Sequence, residues 1–128
     1  MPVSDTAVGE VGRLLASAEM LMHGIAPTRP EADIGVDIVA LVGRKACRVQ
    51  VKSVRDHTPS PRTQAHKFKI RRSRHGGVYA ASEVDAFVFV SITRKQFWVV
   101  PVREMNLSGY KMSHHPGSRW HNAWHLLK

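Results

Sequence analysis

Little in this chain invites a disulfide-linked or membrane-bound reading. Among 128 residues there is one cysteine, Cys47, so no disulfide framework or cysteine-based zinc site can form within the chain. Cys47 alternates with Val49 and Val51 and reads as a small buried hydrophobe. No apolar run approaches the ~20 residues that a membrane-spanning helix requires, and the first residues carry no charged-then-apolar leader pattern. A cytoplasmic protein with no membrane partner is therefore expected. Repeats, low-complexity tracts, zinc fingers and helix-turn-helix signatures are missing as well, which removes the usual means of base-specific recognition. Acidic residues are few: ten Asp and Glu stand against nineteen Lys and Arg, for a net charge of +9 and a pI near 10.5. Such a balance favours a polyanionic partner.

The excess charge is concentrated. Arg55, Arg62, Lys67, Lys69, Arg71, Arg72 and Arg74 fall in one stretch opposed by a single acid, Asp56. Around that stretch the pattern predicts one α/β or α+β domain over residues 1–128. Asp5 can cap a first helix that runs to about His23 and is closed by Gly24. Val8, Val11, Leu14, Leu15, Ala18, Leu21 and Met22 recur at helical spacing and predict its buried face, with Glu10 on the border. The prolines of Pro27 to Gly35 predict a loop. Val36 to Val42 and Ala46 to Val54 predict two strands joined by a tight turn at Gly43-Arg44. His57 to Gln64 predicts a surface loop, and His66 to Arg72 either a strand or a short helix. Val84 to Ile92 and Gln96 to Val102 predict two buried strands holding Phe87, Phe89, Phe97 and Trp98 in the core. Pro101 to Met105 can begin a short helix. In the polar tail, Trp120 and Trp124 are expected to fold back on the domain.

The hairpin carries the chemistry. In the register set by a two-residue loop, or equally by a four-residue one spanning Val42 to Lys45, Asp37 lies opposite Gln50, with Lys52 two residues further on the same face. Facing Cβ atoms would stand roughly 5 Å apart, close enough for one ion and its water to touch both side chains. A carboxylate, an amide oxygen and an ammonium are poor core material and suit metal-assisted phosphodiester hydrolysis. A three-residue loop would put Asp37 opposite Val51, on the wrong face. His121 and His125, four apart, lack a third ligand nearby in sequence and read as solvated residues beside Trp124.

Gly9-Glu10, Gly24, the run Pro30 to Asp37, and Gln50-Val51-Lys52, followed by Tyr79, Val84 to Val90 and Phe97 to Val102, resemble the PD-(D/E)XK nuclease superfamily. They are most similar to its small branch of intron-homing endonucleases. Where most members carry Glu or Asp two residues before the lysine, this chain has Gln50, as one homing-endonuclease branch does. The resemblance implies a restriction-endonuclease-like domain with its N-terminal helix packed on a central mixed sheet. It implies Mg²⁺, or Mn²⁺, held by Asp37, Gln50 and the Val51 carbonyl, with Glu10 binding a second ion or a metal-bound water. Lys52 would position or deprotonate the attacking water. Lys67, Lys69, Arg71, Arg72 and Arg74 would grip DNA phosphates. Symmetric cutting of two strands implies a homodimer or higher homo-oligomer. A structure-selective Holliday-junction resolvase, a non-cleaving nucleic-acid-binding module of the same fold, and an RNA-binding protein are the rival readings.

Overall fold

The computed structural model describes residues 3–32, 34–55, 61–62, 64–72 and 76–128. Helix α1 (Asp5–Met22) is capped by Ser4, not Asp5: the Ser4 hydroxyl accepts the Ala7 N–H at 3.1 Å, which leaves Asp5 inside the first turn. Gly24, at φ +73°, closes the other end as expected. The buried face differs from the predicted one. Gly12, Ala16 and Met20 face inward, while Val11, Leu14, Leu21 and Met22 are exposed, Met22 at 82%. Close approach is the reason: a Cβ on Gly12 would stand 1.7 Å from the Ser53 hydroxyl. Small residues four apart let the helix descend onto the sheet, and the larger apolar residues point away.

That sheet has five strands in the order β1 (Ala26–Thr28), β2 (Ile38–Val42), β3 (Lys45–Val54), β5 (Ala86–Ser91) and β6 (Gln96–Pro101). All neighbours are antiparallel except β3 and β5. Strand β1 overlaps the start of the segment expected to be a loop; as an edge strand it tolerates Pro27, which has no N–H to give. Of the two loop lengths compatible with the predicted register, the β2–β3 hairpin has the two-residue one, with Val42 paired to Lys45 and Ile38 to Val49. Gly43, at φ +58°, supplies the conformation that such a loop demands at its first position.

Both faces of the sheet are covered. Ala86, Val88, Val90, Phe97 and Val99 meet α1 and a C-terminal 3-10 turn, Trp124–Leu127, on one side. Phe87, Phe89, Trp98 and Val100 point to the other side, which explains the unbroken apolar runs of β5 and β6. The second face is roofed by a two-stranded ribbon, β4 (His66–Lys69) with β7 (Lys111–His114). The open choice for His66 to Arg72 thus resolves to a strand. Its partner comes from the tail, which had been expected to hold only packed tryptophans. Trp124 is buried and Trp120 partly so. The short helix expected from Pro101 is a single 3-10 turn, Val102–Glu104.

Candidate active site

Strand β3 has ten residues and β2 five, so beyond Val49 the β2-side edge of β3 has no strand beside it among the described residues. Asp37 stands at that step. The ladder stops at Ile38, two residues after the predicted start at Val36, and Asp37 leaves it with its backbone N–H donating to the Val49 carbonyl at 3.1 Å. Its carboxylate then turns along β3 and accepts the Val51 N–H at 2.9 Å. The side chain thereby supplies the acceptor that a longer β2 would have offered. A residue in an extended strand directs its N–H and C=O to the same side, so the Val51 carbonyl also faces this gap.

Val49 and Val51 belong to the helix-side core, and alternation sends Gln50 and Lys52 to the opposite face. The amide oxygen of Gln50 is buried and has no hydrogen-bond partner among the described residues, a costly state for an acceptor. The Lys52 ammonium donates to the Arg71 carbonyl at 2.7 Å and to the Tyr79 hydroxyl at 2.8 Å, leaving one of its three N–H bonds uncommitted. Burial brings the Lys52 pKa down to about 8; Asp37 opposes the shift, and Lys69 and Arg72 add to it. Burial also raises the Asp37 carboxyl above its usual range, against the pull of the Val51 N–H, Lys52 and Arg13.

These groups line a cleft of ≈ 920 Å³ between the first half of α1 and the ribbon. Asp37, Gln50, Val51, Lys52, Glu10, Lys67, Lys69 and Arg71 all reach it. Glu10 arrives committed: Arg13 contacts both of its oxygens, at 2.5 and 3.2 Å, and Arg29 adds a bond at 3.2 Å. The Arg13 bond holds its carboxyl below the ordinary range. Two predicted phosphate contacts are likewise committed. The Arg71 guanidinium donates to the carbonyls of Ser108, Gly109 and Gly76. Arg72 pairs with Glu83 and lies 4.7 Å from the Tyr79 ring centroid. Lys67 and Lys69 are exposed, whereas Arg74 lies outside the described residues, as do Asp33 and part of the 57–64 segment.

Sequence reasoning assigned no role to Arg13, Tyr79 or Lys111. Arg13 was legible as an i+3 partner of Glu10. Lys111 had no local signal, because its place depends on pairing with a strand some forty residues earlier.

The donors at the step fit a hard dication. Asp37 retains a free carboxylate oxygen, the Gln50 oxygen lacks a partner, and the Val51 carbonyl faces the same gap; all are oxygen ligands. Among the described residues no group of three or more His, Cys, Asp or Glu could hold an ion, so a metal here depends on the amide and the backbone.

The fold has relatives of known structure. Over 98% of this chain and 93% of the other, it superposes on the bacterial homing endonuclease I-Ssp6803I with a TM-score of 0.79 at 24% identity. The chain has the restriction-endonuclease-like fold. The chain also superposes on Archaeoglobus fulgidus Hjc, a Holliday junction resolvase from an archaeal hyperthermophile, at a TM-score of 0.52 and 14% identity over 84% of this chain and 83% of that one. No family model and no curated protein matches the sequence. In the restriction-endonuclease-like frame of this chain, α1, the β2–β3 hairpin and the β4–β7 ribbon all contribute to the cleft. Among the described residues no helix is long and apolar enough to cross a membrane.

Proposed function

We propose that this protein is a cytoplasmic endodeoxyribonuclease, dependent on Mg²⁺ or Mn²⁺, that hydrolyses phosphodiester bonds of DNA. The single observation that carries the reading is the set of oxygens at the β2–β3 step, facing a half-buried lysine whose pKa burial brings down to about 8. Asp37, Gln50 and the Val51 carbonyl would hold the ion. When bound, a dication lowers the pKa of its water and neutralises phosphate charge.

The chain's own groups do the rest. Asp37 is locked by the Val51 N–H, so its second oxygen is aimed without losing side-chain freedom on binding. Lys52, gripped by the Arg71 carbonyl and Tyr79, keeps one N–H for an attacking water or a phosphate oxygen. Arg72 contributes indirectly by pressing on Tyr79, and Glu10 by fixing Arg13 and Arg29 at the cleft rim, where they can meet a phosphate. Direct binding of a second ion by Glu10 would require it to give up those guanidiniums. One cleft makes one cut, so cleavage of both strands calls for a homodimer or higher homo-oligomer.

A second reading, a non-cleaving nucleic-acid-binding module, is favoured by the lack, among the described residues, of any group of three His, Cys, Asp or Glu that could hold an ion. A resolvase reading has less support than a linear-duplex nuclease, since the resolvase superposes less well than the homing endonuclease. Incubation of supercoiled plasmid with Mg²⁺ or Mn²⁺ separates these. Nicking by the native protein and none by Asp37→Asn is expected. Equal nicking by both would remove the site, and none by either would favour the binding module. Preference for four-way junctions over linear duplex would favour the resolvase.

A further inference from the structure

We propose that Lys69 and Lys111, facing each other across the β4–β7 ribbon, form a clamp for one backbone phosphate of the nucleic acid, distinct from the phosphate that is cut. The inference rests on the nuclease reading for the identity of the ligand.

Ribbon residues alternate. His66, Phe68 and His114 point down into the core, with Met112 partly buried beside them, while Lys67, Lys69, Lys111 and Ser113 form the outer face. In the register Lys69 is the direct partner of Lys111, and Lys67 of Ser113. Two ammonium-bearing residues placed directly opposite, with Cβ atoms roughly 5 Å apart, repel each other, and such pairs disfavour the sheet that holds them. A neighbouring carboxylate would ordinarily compensate. Among the described residues none of these three lysines is in an ion pair, and no Asp or Glu lies on the ribbon.

The repulsion therefore waits for an anion from outside, and position says which. All three lysines line the same cleft as Asp37 and Lys52. Tyr110, 53% exposed, presents its ring 5.5 Å from the Lys69 ammonium and 6.0 Å from the Arg71 guanidinium carbon, which restrains Lys69 beside Lys111. Lys69 is also near enough to Lys52 to contribute to its lowered pKa. The clamp thus stands at the rim and Lys52 within, so a duplex whose scissile phosphate reaches Lys52 would present a neighbouring phosphate to the ribbon. Two-stranded ribbons are narrow enough to follow a groove of duplex DNA. Arg71 and Arg72, the more obvious candidates by sequence, are committed elsewhere, and Lys111 takes their place.

The test is a double-mutant cycle, read as anisotropy of a labelled duplex over a salt series in an Asp37→Asn background that leaves the DNA uncut. Lys69→Ala and Lys111→Ala should each weaken binding about tenfold, and together still only about tenfold, with the logarithmic salt slope reduced by about one. A double variant about a hundredfold weaker, with the slope reduced by about two, would mean separate phosphates and overturn the clamp. Unchanged affinity in all three variants would overturn it as well, leaving a solvated face. Plasmid nicking by the same substitutions on native Asp37 separates the two ideas. Coupling without any metal-dependent nicking keeps the clamp and rejects the nuclease; nicking without coupling does the reverse.

Discussion

The two faces of the central sheet are unlike. The helix side is closed by valines, alanines, Met20, Phe97, Trp124, Leu127 and the one thiol, Cys47, which burial holds above its ordinary pKa. The ribbon side holds the aromatic cluster of Phe68, Phe87, Phe89 and Trp98, two buried histidines, and at its open end Asp37, Gln50 and Lys52. One strand, β3, feeds both sides: Val49 and Val51 go to the first, Gln50 and Lys52 to the second. A strict alternation therefore divides a single ten-residue strand into a stabilising half and a reactive half. Substitutions on the helix side should change stability and spare chemistry; those on the ribbon side should do the opposite, or tie stability to pH.

The largest expected effect is at Asp37. Asparagine can still accept the Val51 N–H but cannot offer a carboxylate to a cation, so Asp37→Asn should lower the single-turnover nicking rate about a thousandfold, roughly 4 kcal/mol. Its urea midpoint should be no lower than that of the native chain, because a buried charge has been removed. Collapse of the fold would show that Asp37 is a structural cap and break the division.

Next is His114, fully buried on the ribbon side. Burial, with His115 adding to it, lowers its pKa from 6.5 to about 4. The unfolded chain then binds a proton that the native one refuses, so His114 contributes stability that is complete above about pH 6.5 and is lost as pH falls towards 4. The loss should reach about 3 kcal/mol. Urea titrations between these pH values on the native chain and His114→Phe check it; the variant should lose most of the slope.

On the helix side, Val49→Ala should cost about 2 kcal/mol through lost burial and a cavity, with the nicking rate per folded molecule unchanged. A rate loss at full folding would join the two faces that the alternation separates. The smallest effect belongs to Tyr79→Phe, which deletes one of the two acceptors holding the Lys52 ammonium. Nicking should fall by about fivefold, near 1 kcal/mol, with a comparable or smaller change in the urea midpoint; an unaltered rate would leave Lys52 positioned by the Arg71 carbonyl alone.

The chain's local signals reached far in some places and failed in others. Gly43-Arg44 was enough to set the hairpin register, because loop length fixes pairing and period-two alternation then fixes the face of Gln50 and Lys52. The buried strands β5 and β6 were equally legible from their unbroken apolar runs. Helix α1 was legible in extent but not in orientation. Val11, Leu14, Leu21 and Met22 make the better hydrophobic stripe, yet Gly12 and Ala16 permit a closer approach to β3, and that choice is made only by the sheet. The basic segment shows the same limit. Arg71 and Arg72 match Lys67 and Lys69 in charge, but the carbonyls at Ser108 and Gly109 and the carboxylate of Glu83, remote in sequence, withdraw the two arginines.

By itself, then, the sequence determined which residues alternate, where the hairpin turns, and which donors lie within reach of one another on it, since those follow from the geometry of adjacent residues. Tertiary structure alone decided how far β2 runs beside β3, and so whether the Val51 N–H and carbonyl face a strand or a gap. It also brought Lys111 opposite Lys69, and Arg29 onto Glu10. Contacts of that kind form when separate segments compete for the same partners during packing, and no local pattern records the outcome.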